Sequence, residues 1–236
     1  ILIQFMTRIP IPVNVEYDEE KLGKSVKYFP LVGAIIGVFL FAVNFLTGKI
    51  TGNRQIIAIT LIIAEILITG LIHIDGLADT ADGLFSYAKK EKMLEIMKDS
   101  RIGTNGTVIL ILYFIAKFVF LSQVKSGYLL LYPIISRLST SMNAGFGEYA
   151  RKDGMSNGII DQNGKKEAII SIIIVTLLSF GIMKIKGLTI LLLAIIFILW
   201  FMQNVKRKIG GITGDTMGAS LELTALLVLF AGIILN

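Results

Sequence analysis

Three carboxylates raise the question of what this chain does. In the string His73-Ile-Asp75-Gly76-Leu-Ala-Asp79-Thr-Ala-Asp82-Gly83 they stand at i, i+4 and i+7. On a helix turning 100° per residue, all three fall within roughly 60° of one another. Like charges on one helical face repel by a few tenths of a kcal/mol per pair, about the value seen in water, and by more near hydrocarbon. A divalent cation reverses that sign, because clustered carboxylates are what Mg2+ or Ca2+ requires. A solvated acidic helix explains one or two such acids, but poorly three with no Lys or Arg between them. An EF-hand is excluded, since its ligands alternate at two-residue spacing. Gly76, Ala78 and Ala81 are small and leave room for a bulky ligand.

Two further strings carry chemistry. Lys98-Asp99-Ser100-Arg101-Ile-Gly103-Thr104-Asn105-Gly106 offers Asp99 as another metal ligand and Lys98 and Arg101 as phosphate holders, Arg in a bidentate manner. Gly103 and Gly106 could bring backbone N–H groups to an anion at the start of the next helix. An ordinary turn and helix start is the competing reading. The string Gly210-Gly211-Ile-Thr213-Gly214-Asp215-Thr216-Met-Gly218-Ala-Ser220-Leu-Glu222 places Asp215 and Glu222 seven apart on one face. A glycine-rich turn with Asp215 as N-cap would explain Asp215. It would not explain Glu222, which then lies inside the membrane, where a carboxylate is a functional candidate. Tyr149-Ala-Arg151-Lys152-Asp153-Gly154 adds Arg151 as a phosphate candidate or a plain topology signal. His73, beside the acids, is left out of catalysis, because a lone interfacial histidine is more often a hydrogen-bonded structural residue.

The elements that must position these groups are apolar. The 236 residues are 54% hydrophobic and 17% charged, with a mean hydropathy of +0.76. A soluble domain has about a quarter of its residues charged. The apolar residues fall into seven runs, about 28–47, 55–74, 107–124, 128–145, 167–184, 187–203 and 217–235. Each approaches the roughly 20 residues needed to cross a bilayer as a helix. The run at 128–145 is the weakest, interrupted by Pro133, Arg137 and several Ser/Thr. Gly33 and Gly37 form a small-xxx-small pair suited to close helix packing. Glu65, Lys117 and Arg137 lie within spans, where mutual pairing would neutralise them. The segment from Ile1 to Pro12 is too short and too broken by Pro10 and Pro12 to span, and has no clear signal-peptide form. The expectation is an all-α polytopic membrane protein of about seven transmembrane helices, a single integral-membrane domain over 1–236.

Charge sets the orientation. The N-terminal segment and the loops after spans two, four and six hold sixteen Lys and Arg, against five on the other side. Positive residues collect in cytoplasmic loops, so the N-terminus and all three long polar loops are expected in the cytoplasm. The net charge of +6 is read the same way, and not as a nucleic-acid footprint. The absence of cysteine excludes disulfides and thiolate chemistry, and a single histidine leaves a carboxylate-held hard cation as the only metal chemistry available.

These strings resemble the cobalamin synthase family, the adenosylcobinamide-GDP ribazoletransferases. The resemblance rests on His73–Leu84, Met97-Lys-Asp-Ser-Arg-Ile-Gly103 and Gly210–Ala219, with Phe5–Pro12 and Tyr28–Gly37 in support, and covers essentially the whole chain. It implies that a hydroxyl of α-ribazole, or of its 5′-phosphate, attacks the cobinamide-side phosphorus of adenosylcobinamide-GDP and expels GMP at the inner (cytoplasmic) membrane of the cell. Under that reading Asp75, Asp79 and Asp82 are the main Mg2+ ligands, with Asp99 or Asp215 completing the site. Asp82, and after it Asp79, is the candidate for catalysis, Asp82 as base. Lys98, Arg101, Arg151, Thr213 and Glu222 are substrate-binding candidates. Self-association is open. Two other classes compete. A prenyltransferase or CDP-alcohol phosphotransferase also uses aspartate clusters, but the Asp75–Asp79 spacing and the lack of a matching Arg fit the latter poorly. A transporter would use Glu65, Lys117 and Glu222 as an ion path, although the polar residues cluster on one side and not at the midplane.

Overall fold

A computed structural model describes residues 2–12, 19–150 and 164–235. They form α1 (Leu2–Met6), α2 (Glu19–Ser25), a 3-10 turn (Val26–Tyr28), α3 (Phe29–Ile50), α4 (Arg54–Thr69), α5 (Ile74–Leu84), α6 (Lys90–Ile96), α7 (Thr104–Gln123), α8 (Gly127–Phe146), α9 (Lys165–Ile209) and α10 (Gly214–Ile234). Among the described residues there is no strand, only one isolated parallel bridge between Tyr149 and Ile212. The protein is all-α, as its composition requires.

The bundle is apolar on its outer surface as well as in its core. α8 runs through its centre, packed by α3, α9 and α10. The interruptions that weaken its hydropathy are the buried polar residues of this central helix, and several of them bond to its own backbone. Ser139 Oγ donates to the Ser136 carbonyl at 2.7 Å, and Asn143 Nδ2 to the Ser139 carbonyl at 2.7 Å. The outward faces are apolar: Val38, Phe45 and Leu46 on α3, Ile111 and Ile115 on α7, and Leu177, Leu192 and Trp200 on α9 are exposed. Continuous apolar surface of this kind is avoided in water and belongs against lipid.

Close helix approach uses the small pair read from the sequence. A Cβ at Gly33 would stand 2.2 Å from the Pro133 carbonyl oxygen, and one at Gly37 2.8 Å from the Leu130 carbonyl oxygen. α3 therefore lies on the backbone of α8, a contact no larger residue permits.

Four described helices are long and apolar enough to cross a membrane: the run Lys21–Ile50, α7, α9 and α10. The bent pair α4 and α5 makes a fifth if counted as one span. α9 is itself two helices. Lys184 breaks it with φ 51° and ψ −132°. A Cβ at Gly187 would lie 2.2 Å from the Ser179 carbonyl oxygen, whereas eight residues of straight helix span about 12 Å. The chain therefore folds back on itself at Lys184, matching the two runs expected at 167–184 and 187–203.

The second run, expected over about 55–74, ends earlier as a helix than its hydropathy suggests. α4 stops at Thr69, Gly70 takes a left-handed φ of 67° and Leu71 follows at 63°. α5 then leaves at 93° to α4. Glycine adopts that conformation without steric penalty, while leucine does so at a cost of about 1 kcal/mol.

Candidate functional site

α5 carries all three acids, and its neighbours give each a different environment. Asp75 is exposed, Asp79 half-buried and Asp82 buried. The shared face therefore runs from solvent to interior along about two turns.

Two helix N-termini flank that face. On one side α5 crosses the start of α10. A Cβ at Gly76 would stand 2.7 Å from the Asp215 carbonyl oxygen, and one at Gly218 3.0 Å from that of His73. Glycine on both helices permits this crossing, which brings Asp215 to the edge of the acidic face. Asp215 does not cap α10. Thr213, fully buried, is the N-cap: its Oγ1 accepts from the Thr216 amide at 3.2 Å, and Thr216 Oγ1 accepts from the Thr213 amide at 2.8 Å. Thr213 Oγ1 also lies 3.4 Å from Asp215 Oδ2. The loop before this cap is stapled to the chain following α8, where the Ile212 amide donates to the Glu148 carbonyl at 2.7 Å and the Ala150 amide to that of Ile212 at 2.8 Å.

On the other side lies the start of α7. The amides of Gly103 and Gly106, expected to face an anion, do so. The anion is Asp82: Gly103 N donates to Oδ2 at 2.7 Å and Gly106 N to Oδ1 at 2.8 Å.

Asp99 and Arg101 engage each other on the exposed loop before α7. Arg101 donates through Nη2 to Oδ2 at 2.6 Å and through Nε to Oδ1 at 3.0 Å. Its hydrogen bonds hold the Asp99 carboxyl down to about 2, and Asp99 in turn raises the guanidinium. Lys98, beside them, is exposed. Arg151 lies outside the described residues.

Below α5 sits a polar cluster that the sequence showed only in fragments. Lys117 Nζ lies 2.9 Å from Glu65 Oε2 and 3.7 Å from Glu222 Oε2. Tyr132 donates to Glu65 Oε2 at 2.7 Å, Tyr113 donates to Glu222 Oε2, and Lys117 donates to Tyr113 Oη at 2.5 Å. All five residues are buried. Glu222 is thus held inside the bundle, one to two turns beneath Asp215. The tyrosines escaped the sequence reading, although Tyr113 stands four residues before Lys117 on the same helical face. Arg137 is 1% exposed, with Nη1 on Ser136 Oγ at 3.2 Å and Nε without a partner.

Among the described residues no three carboxylate or histidine side chains converge to hold an ion by themselves. Mg2+ does not need such a cage. It is usually held by one or two carboxylates, with waters and substrate phosphates filling the remaining positions. Asp75 and Asp79, on one accessible face, fit that mode.

The chain matches the family described as cobalamin-5-phosphate synthase along residues 1–233. It is 39% identical to the adenosylcobinamide-GDP ribazoletransferase of Fusobacterium nucleatum, covering 98% of this chain and 94% of that protein. Against the proteins of the same name from Caldanaerobacter subterraneus and Clostridium novyi it is 39% and 38% identical, over 95% and 98% of this chain and 93% and 94% of theirs. No solved structure matches it. With a match over nearly its whole length, this all-α membrane chain belongs to the cobalamin-5-phosphate synthase family.

Proposed function

We propose that the chain is an adenosylcobinamide-GDP ribazoletransferase, acting late in cobalamin assembly as one membrane domain over residues 1–236. The observation that carries the reading is the graded acidic face of α5, wedged between the starts of α7 and α10 in a chain that matches the family throughout. The hydroxyl oxygen of α-ribazole, free or as its 5′-phosphate, attacks the cobinamide-side phosphorus. The new P–O bond forms as the bond to GMP breaks, and GMP leaves with the electron pair. The hydroxyl proton goes to a carboxylate, for which Asp79, half-buried midway along the acidic face, is the best placed.

Asp75 would hold Mg2+, with Asp215 reaching it from α10 and Asp79 left to take the proton. The ion supplies offset for the negative charge that builds on the leaving phosphate oxygen. Lys98 and Arg101 meet the phosphates, and Arg101 exchanges its intramolecular partner Asp99 for them. Arg151 belongs to the same cytoplasmic side and is the third candidate. Thr213 acts here by capping α10, and Glu222 by pairing below the site.

Seven spans follow from counting α8 and both arms of α9, with the N-terminus and α5 on the cytoplasmic side by the positive-residue asymmetry. The site would then face the cytoplasm from the inner membrane.

The test is GMP release by the purified protein in liposomes. Adenosylcobinamide-GDP and α-ribazole 5′-phosphate are supplied with and without Mg2+, beside an Asp79→Ala variant. Metal-dependent GMP and a cobalamin product, lost in the variant, support the assignment. A folded protein giving no product would overturn it.

A further inference from the structure

We infer that Asp82 is a positioning residue, the anchor that clamps the phosphate-facing loop and the start of α7 onto α5. This rests on the transferase reading and sharpens it. The three acids look equivalent in sequence, but Asp82 has both carboxylate oxygens taken by backbone amides of a distant helix start. Gly103 N reaches Oδ2 at 2.7 Å and Gly106 N reaches Oδ1 at 2.8 Å, across 21 and 24 residues of chain. The residue is 9% exposed.

The fit leaves no room for an alternative occupant. A Cβ at Gly103 would stand 2.4 Å from Asp82 Oδ1, and one at Gly106 2.4 Å from Oδ2 and 3.0 Å from the Ala78 carbonyl oxygen. Both glycines are needed for the carboxylate to seat. The N-terminus of α7 carries a partial positive charge and free amides, which ordinarily draw an anion. Here the chain supplies that anion itself. Substrate phosphate therefore does not use these amides and is left to the side chains of Lys98 and Arg101. The clamp sets where those side chains stand, because the loop that carries them ends at Gly103.

Gly106→Ala provides the decisive variant, since it displaces Asp82 without changing any titratable group. It is compared with Asp82→Asn, which keeps the size but sets an NH2 group against an amide N–H. In full-length protein in liposomes, amide hydrogen exchange across 103–107 is expected to rise about tenfold or more in both variants, with exchange in α8 unchanged. In turnover assays both variants should raise KM for adenosylcobinamide-GDP more than they lower kcat, and the pH profile should keep its shape. The inference is overturned if exchange at 103–107 stays at the wild-type level in both. It is equally overturned if Gly106→Ala turns over normally while Asp82→Asn loses kcat alone, the signature of a base or metal ligand. Should the wild-type chain show no transferase activity, the exchange measurement still decides whether the clamp exists.

Discussion

Lys117 on α7 lies 2.9 Å from Glu65 on α4, a buried ion pair joining two helices that each lead directly to the site. α4 ends one turn later at the break before α5, and α7 begins at the amides that hold Asp82. Glu222 of α10 and Tyr132 of α8 close onto the same pair. Four helices are thereby keyed in register beneath one acidic face.

Lys117→Met should be severely destabilising, because it strands two buried carboxylates. Removing one partner of a buried pair costs about 3–5 kcal/mol. Thermal unfolding in detergent should show a large drop in Tm, and a milder one for the double change Lys117→Met with Glu65→Gln, where one stranded charge is also removed. A single variant as stable as the wild type would show that the cluster is not a structural key.

Asp79→Ala should reduce turnover at least about 10²-fold while the protein stays folded, since the side chain is half-buried and its loss opens no large cavity. Asp75→Ala should instead raise the Mg2+ concentration needed for half-maximal rate. GMP release measured across a Mg2+ titration separates the two, and identical curves for both variants would undo the division of roles.

Glycine variants should sort by what their Cβ meets. Gly76→Val pushes into the Asp215 backbone at the α5–α10 crossing, so overpacking of about 1–3 kcal/mol and loss of turnover are expected. Gly181→Ala meets nothing within 4 Å and should stabilise α9 by up to about 1 kcal/mol. Melting temperatures and activities of the pair test the helix contacts directly.

Arg101→Ala should leave stability unchanged, because its pair with Asp99 is exposed and such pairs contribute little. KM for the diphosphate substrate should rise. The pH dependence has a definite sign. Asp99 is held low, at about 2, so the pair is present above the ordinary carboxylate range and is lost only as pH falls through about 2. Any inflection of the wild-type rate between pH 5 and 9 therefore belongs to another group, and an inflection that disappears in Asp99→Asn would contradict this.

Local sequence establishes the class of protein and singles out the acidic string as the candidate site. Apolar runs long enough to span, a charge asymmetry between their loops and three acids on one helical face follow from composition and period, which need only local geometry. The small pair Gly33 and Gly37 was legible for the same reason. Packing between distant segments supplies what period cannot encode. It bent the acidic helix away from α4 at Gly70 and Leu71, folded α9 back at Lys184 and surrounded α8 with protein, so that its polar residues count as interior. It also ranked the acids. Asp75, Asp79 and Asp82 are equivalent on a helical wheel, but burial and amide partners come from α7 and α10, which lie some 20 to 140 residues away in the chain. A carboxylate's role depends on what faces it, and only packing between distant segments settles that.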